Sequence, residues 1–422
     1  MPHPPGTGYG SALHAGHETV NRPTRSAAQA SSLEVFGIFL LLGLTSFGGP
    51  IAHLAYLRRE FVERRRWLDD QRFVHLMAVC QFLPGPASSQ LGFAIGLDRA
   101  GWTGALAAFV GFTLPSALLM FALAVLAPML APHAVTGSIV QGLKIVAVAV
   151  VAHGLLGMAR SLVPDVARAA IAVSAVALVL LTGGAWSQLS AVVLGALLGL
   201  AFCAHVRGPA TTGQRWHVGH RAALACLLAF AALLGLALSM PLSPSPGVPG
   251  LLAAFYRTGA LVFGGGHVVL PLLQQAVVEP GWMDADAFIT GYGAAQALPG
   301  PMFALSAYLG AGIHAGLPPA ASAGLALVAI FLPGFLLVTA TLPGWTRLLA
   351  RPAAARVVAG INAAVVGLLA AALYDPLWVT AIHGVADLVI AVGAFALLLT
   401  GRVAVPWVVL FCVVAAVLTG AA

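Results

Sequence analysis

The sequence predicts an all-α polytopic membrane protein. It reads as two homologous six-segment halves in inverted orientation, joined by a linking helix, with broken or re-entrant helices. Three observations predict this. Hydrophobic residues make up 60% of the 422 and charged residues only 8%, where soluble domains carry about 25% charged residues. Apolar runs recur at about the 20 residues that a helix needs to cross ~30 Å of hydrocarbon, without the alternation of a β-barrel strand. One ordered set of motifs occurs twice.

The elements follow in order. Residues 1–32 are polar and rich in Gly, Pro, Ser and His. They lack the basic-then-apolar order of a cleaved leader and read as a disordered tail, which accounts for His3, His14 and His17 better than metal binding does. The first repeat, 33–206, holds apolar segments 34–56, 73–97, 101–127, 135–158, 167–184 and 188–206. The linker, 207–250, holds segment 221–240 between a basic stretch and a Ser- and Pro-rich one. The second repeat, 251–422, holds segments 251–277, 286–313, 317–341, 354–373, 377–400 and 403–420.

The duplication is explicit in the motifs. Phe47-Gly48-Gly49 returns as Phe263-Gly264-Gly265, Trp67 as Trp282, Asp69 as Asp284, and Phe73 as Phe288. Gln81 and Pro84-Gly85-Pro86 return as Gln296 and Pro299-Gly300-Pro301. Phe112 to Pro115 resembles Phe331 to Pro333, and Gly142-Leu143-Lys144 resembles Gly360-Ile361-Asn362. With one linking helix between six-segment halves, the second half starts on the opposite face, a design common in secondary transporters.

Arginine placement refines the topology. If both broken segments of each half dip in and return, residues 22–25, 58–72, 99, 160–168, 207–221, 347–356 and 402 share one face. Loop Gln274–Asp286, with Glu279, Asp284 and Asp286 and no Lys or Arg, falls on the other. Basic loops stay cytoplasmic, so this arrangement predicts a cytoplasmic N-terminus and a periplasmic C-terminus in the inner membrane.

Non-helical backbone at membrane depth is tolerated where it lines a cavity or is buried in protein. The breaks at Gly48-Gly49-Pro50, Gly85-Pro86, Gly264-Gly265-Gly266 and Gly300-Pro301 predict up to four half-helix N-termini near mid-membrane. Pro50, Pro86 and Pro301 at the first position of a resumed helix would favour them, with Gly266 in that place at the remaining break. Such termini attract anions. Gln81, Gln296, Ser88 and Ser89 offer hydrogen bonds nearby, as do His53, His267 and Tyr292. Lys144 and Arg257 are membrane-embedded cations that could neutralise an anion or snorkel to the interface. His383 and Asp387, one turn apart, could carry protons or make an interhelical hydrogen bond. Together these residues form the predicted substrate and proton-coupling sites.

Other classes fit poorly. Cys80, Cys203, Cys226 and Cys412 are scattered without metal-ligand spacing, so no metal or disulfide framework is expected. No P-loop lysine motif occurs, no cofactor is implied, and no enzymatic constellation appears. The net charge of +7 comes from loop arginines and not from a basic folded domain, which argues against nucleic acid. Expected partners are an oxyanion and the lipid bilayer, and a homo-oligomer is compatible with the pattern.

The repeated Phe-Gly-Gly, Trp and Gln-x-x-Pro-Gly-Pro order resembles the chromate ion transporter family, long two-domain type, across about residues 33–420. That resemblance implies secondary active export of the chromate dianion across the cytoplasmic membrane and chromate resistance. It assigns motif positions to Phe47, Gly48, Gly49, Pro50, Gln81, Pro84, Gly85 and Pro86, and to Phe263, Gly264, Gly265, Gln296, Pro299, Gly300 and Pro301. Gly266 stands where the first half has Pro50. Sulfate, also a tetrahedral dianion, is an alternative substrate. An anion channel or a non-transporting membrane subunit is the alternative of another class.

Overall fold

The computed structural model describes residues 30–47, 49–126, 134–182, 187–206, 218–241, 243, 246–263, 268–344 and 351–420, and among these it contains helices and no strands. Each motif-bearing apolar segment is two helices. In the first half α1 (Ser32–Thr45) ends at Ser46, whose backbone is extended, and α2 (Gly49–Arg58) follows, continuing through a π-helical stretch, Arg59–Arg64. Helix α3 (Asp70–Phe82) ends before Pro84, and α4 (Ala87–Leu126) begins after Pro86. Helix α1 has 14 residues, or about 21 Å, short of a full crossing.

The two ends of each broken segment return to one level. Arg65 reaches Glu34 at 3.7 Å, and the rings of Phe39 and Phe61 stack at 5.1 Å. Arg72 pairs with Asp98 at 2.7 Å, and the Arg99 guanidinium lies 4.8 Å over Trp67. Ser32 Oγ donates to Thr103 Oγ1 at 2.8 Å. The segments are therefore two helical hairpins with a common base, the re-entrant form of the expectation.

Helix α4 is itself two arms. Ala100 and Gly101 leave helical geometry, and Gly101 has φ 63°. The arms pack so closely there that a methyl group at Gly96 would lie 2.4 Å from the Gly104 carbonyl oxygen. Only the second arm, 102–126, is long enough to cross. Helices α5 (Ala134–Leu162), α6 (Val166–Thr182), α7 (Ser187–Phe202) and the linking α8 (His220–Ser239) complete this part.

The second half repeats the plan. Helix α9 (Val248–Leu261) precedes one break, and α10 (Val269–Leu273), extended by a π stretch, Gln274–Val278, follows it. Helix α11 (Ala285–Ala297) precedes the other break, and a short turn, Met302–Ala304, leads into α12 (Leu305–Gly312). Trp282 Nε1 donates to the Ser243 carbonyl at 2.7 Å, beside the start of α9, and Tyr308 Oη donates to the Ala287 carbonyl at 3.1 Å. These hairpins also close at their bases. Then come α13 (Pro319–Thr341), α14 (Pro352–Ala372), α15 (Val385–Leu399) and α16 (Val405–Thr419).

One boundary differs from the sequence reading. Segment 377–400 is not one element, because 373–381 continues α14 through a π-helical turn at Pro376. Proline lacks the amide hydrogen a regular turn needs, and Asp375 is extended there. Helix α15 starts only after Gly384.

The halves are inverted. Leu143 and Gly293 are in contact, with a methyl at Gly293 only 2.0 Å from the Leu143 carbonyl oxygen. Each lies between two and three turns from the start of its helix, α5 or α11. Helix α5 starts on the face opposite the first hairpin bases, because the 102–126 arm has crossed in between. The second hairpins therefore open on that opposite face.

Packing between halves is exchanged. Helix α5 packs along α15 and α16, while α14 packs along α6 and α7. Gly142 meets the backbone of Val413 and Cys412, and Gly360 meets Gly195 and Gly199. The small-residue pattern Gly195-x-x-x-Gly199 is thus a helix-packing face. Among the described residues five helices are long and apolar enough to cross a membrane: α5, α8, α13, α14 and the span containing α4.

Candidate functional site

The hairpin tips meet at the centre in a reciprocal exchange. The Gly85 N–H donates to the Val262 carbonyl at 2.7 Å, and the Gly300 N–H donates to the Ser46 carbonyl at 2.9 Å. Val262 and Ser46 directly precede the two Phe-Gly-Gly motifs. Each Pro-Gly-Pro glycine thus holds the other half's tip. Gly85 and Gly300 have φ of 120° and 97°, values that favour glycine. Neither has room for a side chain: a methyl at Gly85 would lie 3.0 Å from Gly334 Cα, and one at Gly300 would lie 2.8 Å from Ser116 Oγ.

Pro86 and Pro301 stand one position earlier than expected, just before their helices and not at the first helical residue. The Pro86 carbonyl accepts the first i→i+4 bond, from Gln90 N–H at 2.9 Å. The N–H groups of Ala87, Ser88 and Ser89 lie ahead of that bond, as at any helix start. Gly49 opens α2 at φ 76°. Gly48, Gly264, Gly265, Gly266 and His267 lie outside the described residues; Pro50 is described for its backbone.

Buried polar groups gather at the first-half tip. His53 Nε2 is 3.1 Å from the Ser46 carbonyl, and Nδ1 is 3.5 Å from Ser88 Oγ. The imidazole stands edge-on to Phe112, 5.4 Å between centroids. Gln90 Nε2 donates to the Pro84 carbonyl at 2.9 Å and to the Gly334 carbonyl at 3.0 Å, tying the tip to α13. Ser116 Oγ donates to the Thr113 carbonyl at 3.0 Å. Ser46 Oγ, Ser89 Oγ, Thr113 Oγ1 and Gln90 Oε1 are buried without a hydrogen-bond partner.

Other residues singled out from the sequence go elsewhere. Gln81 is exposed, whereas its counterpart Gln296 is buried. Gln296 shares a hydrogen bond with Tyr292 and donates to Met302 Sδ at 3.6 Å. Lys144 is buried and donates to Asp286 Oδ1 at 2.8 Å, linking α5 to the start of α11. Arg257 donates to the carbonyls of Ala237 and Met240, closing the C-terminal end of α8, where unpaired carbonyls favour a cation. His383 precedes α15 with an exposed side chain, and the Asp387 carboxylate accepts its backbone N–H at 3.0 Å. The other carboxylate oxygen has no partner, so the contact between the two residues is made by backbone and not by the imidazole.

The arginine-rich base is largely self-neutralised. Arg58 pairs with Glu63 and Asp70, and Arg64 and Arg65 both pair with Glu60. The four cysteines are buried and free. Among the described residues no group of His, Cys, Asp and Glu is arranged to hold a metal ion.

Ser46, Gln90, Thr113 and Ser116 were not legible as site residues. Isolated polar residues in apolar helices are ordinary, and only their apolar counterparts in the second repeat mark them.

Comparison with known proteins agrees with the geometry. The chromate transporter family matches residues 33–202 and 250–418, one stretch per half. A chromate transport protein of Pseudomonas aeruginosa is 30% identical over 367 residues, 86% of this chain and 85% of that protein. A chromate transport protein of Cupriavidus metallidurans is 29% identical over 378 residues, 88% and 86% of the two chains. A probable chromate transport protein of Synechococcus elongatus is 27% identical over 357 residues, 79% and 82%. No solved structure matches significantly. With both halves matched and the inverted, tip-to-tip hairpins in place, the chain belongs to the chromate transporter family.

Proposed function

We propose that the chain is a secondary active exporter of the chromate dianion across the cytoplasmic membrane, and that it confers chromate resistance. The observation that carries this reading is the reciprocal bonding of Gly85 to Val262 and Gly300 to Ser46. It gathers four chain breaks from two inverted halves, the arrangement from which transporters build mid-membrane sites. Gly48, Gly49, Pro50, Gly85, Pro86 and Ser88 supply the first half of the site. Gly264, Gly265, Gly266, His267, Gln296, Gly300 and Pro301 supply the second. Helix N-termini present N–H groups and partial positive charge to the anion.

Export against a negative interior is electrically downhill for an anion, by about 2.3 kcal/mol per charge per 100 mV. The basic face, holding Arg58 to Arg72, faces the cytoplasm. Sulfate is the second reading, because a cradle of backbone N–H groups recognises a tetrahedral dianion without reading its central atom.

Flux of labelled chromate and sulfate into inside-out vesicles tests the proposal. Chromate uptake that depends on the electrochemical gradient is expected. Equal sulfate flux without chromate preference overturns the substrate, and flux indifferent to the gradient makes the protein a channel.

A further inference from the structure

We propose that the two halves do not share the anion equally: a single oxyanion subsite sits at the first-half tip, built from hydroxyl groups that the second half lacks. This inference rests on the anion-transport reading. The repeat makes the comparison possible position by position. Ser46 corresponds to Val262, His53 to Val269, Ser88 to Phe303, Ser89 to Ala304, Gln90 to Leu305, and Thr113 to Phe331. The backbones match, with breaks, positive-φ glycines and reciprocal bonds in both halves, but at these six positions the hydrogen-bonding side chains belong to the first half alone.

Burial makes the difference meaningful. Ser46 is 1% exposed, Ser89 3% and Thr113 1%, and all three hydroxyls lack a partner. Buried polar groups are nearly always paired, so each such exception calls for an explanation. Here three belong to residues that touch His53 or directly follow one that does. Ser46 is held by Gly300 N–H and His53, Ser89 follows Ser88, which His53 also contacts, and Thr113 follows Phe112, which packs on His53. Three free hydroxyl donors and the first N–H groups of α4 match the oxygens of a tetrahedral dianion, which accepts hydrogen bonds and donates none. His53 is a positioning residue: its ring ties α2 to both Ser46 and the start of α4.

The test is equilibrium binding of labelled chromate to the purified full-length chain in detergent, with thermal unfolding measured in parallel. The expected stoichiometry is one chromate per chain. Ser46→Ala, Ser89→Ala and Thr113→Val should each weaken binding about ten-fold, the scale of a lost hydrogen bond to a charged group. They should leave the ligand-free melting temperature unchanged or raised, since no protein hydrogen bond is removed. Ser322→Ala, which removes another buried unpartnered hydroxyl near the start of α13, should leave affinity as it was. Two chromates per chain, or wild-type affinity in the triple variant, overturns the subsite alone. Failure of the unmodified chain to bind either chromate or sulfate overturns the transport reading and the subsite with it.

Discussion

Replacing Gly85 with alanine tests the tip exchange most directly. The backbone there has φ 120°, which for a residue with a side chain costs about 1–3 kcal/mol. The added methyl would lie 2.9 Å from Gln90 Nε2 and 3.0 Å from Gly334 Cα. The Gln90 amide is itself held by two carbonyls, and Gly334 is backbone of a packed helix, so neither yields freely. Overpacking of this kind costs about 1–3 kcal/mol more, for a total of about 2–6 kcal/mol. Gly281→Ala is the matched control, with φ 80° and no atom within 4 Å of the added methyl, so it bears strain without a clash. Thermal unfolding in detergent and chromate flux in vesicles are the assays. Gly85→Ala should unfold well below Gly281→Ala and lose transport. Equal melting temperatures and equal flux would refute the claim that the tips are locked against each other.

Four further outcomes are expected. Arg257→Met should cost about 1–2 kcal/mol by unpairing the α8 carboxyl end while leaving chromate affinity intact; a large affinity loss would return Arg257 to the binding site. Lys144→Met should cost less than about 1 kcal/mol in ion-pair energy, because Asp286 stays solvated, and a double-mutant cycle with Asp286→Asn checks it. Cysteines at the exposed positions 63 and 279 should be labelled by an impermeant reagent from opposite faces, and labelling from one face would defeat the inversion. Asp165 has its carboxylate held down at about 2 by the Arg168 backbone N–H, the Arg168 side chain and His205. Its contribution is complete above the ordinary carboxylate pKa, near 4, and fades as pH falls toward 2. Asp165→Ala should therefore lose about 1 kcal/mol of capping energy at neutral pH in an unfolding titration, with the deficit shrinking in acid.

The breaks were legible because glycine and proline act locally: Gly85 and Gly300 dictate a turn whatever surrounds them. The inversion was legible because charge distribution is a property of loops. Environment was not. Gln81 and Gln296 share a motif, yet Gln296 is buried beside Tyr292 and Met302, while Gln81 faces outward from α3. Arg257 could not be placed because its partners are backbone carbonyls, which every sequence contains. His383 and Asp387 have helical spacing, but His383 lies before the helix that carries Asp387, since α15 starts at Val385.

The exchanged packing of the long helices sets which pieces of the molecule can move. Gly360 lies so close to Gly195 and Gly199, and Gly142 to Val413, that a slide of one sequence half past the other would drive backbone into backbone. The mechanical seams therefore do not follow the repeat boundary. Across that boundary α14 is clasped by α6 and α7, and α5 by α15 and α16, while the hairpins pack chiefly on α4, α8 and α13. A chain cut at the linker would give two fragments, each lacking the helices of the other half against which its own long helices pack.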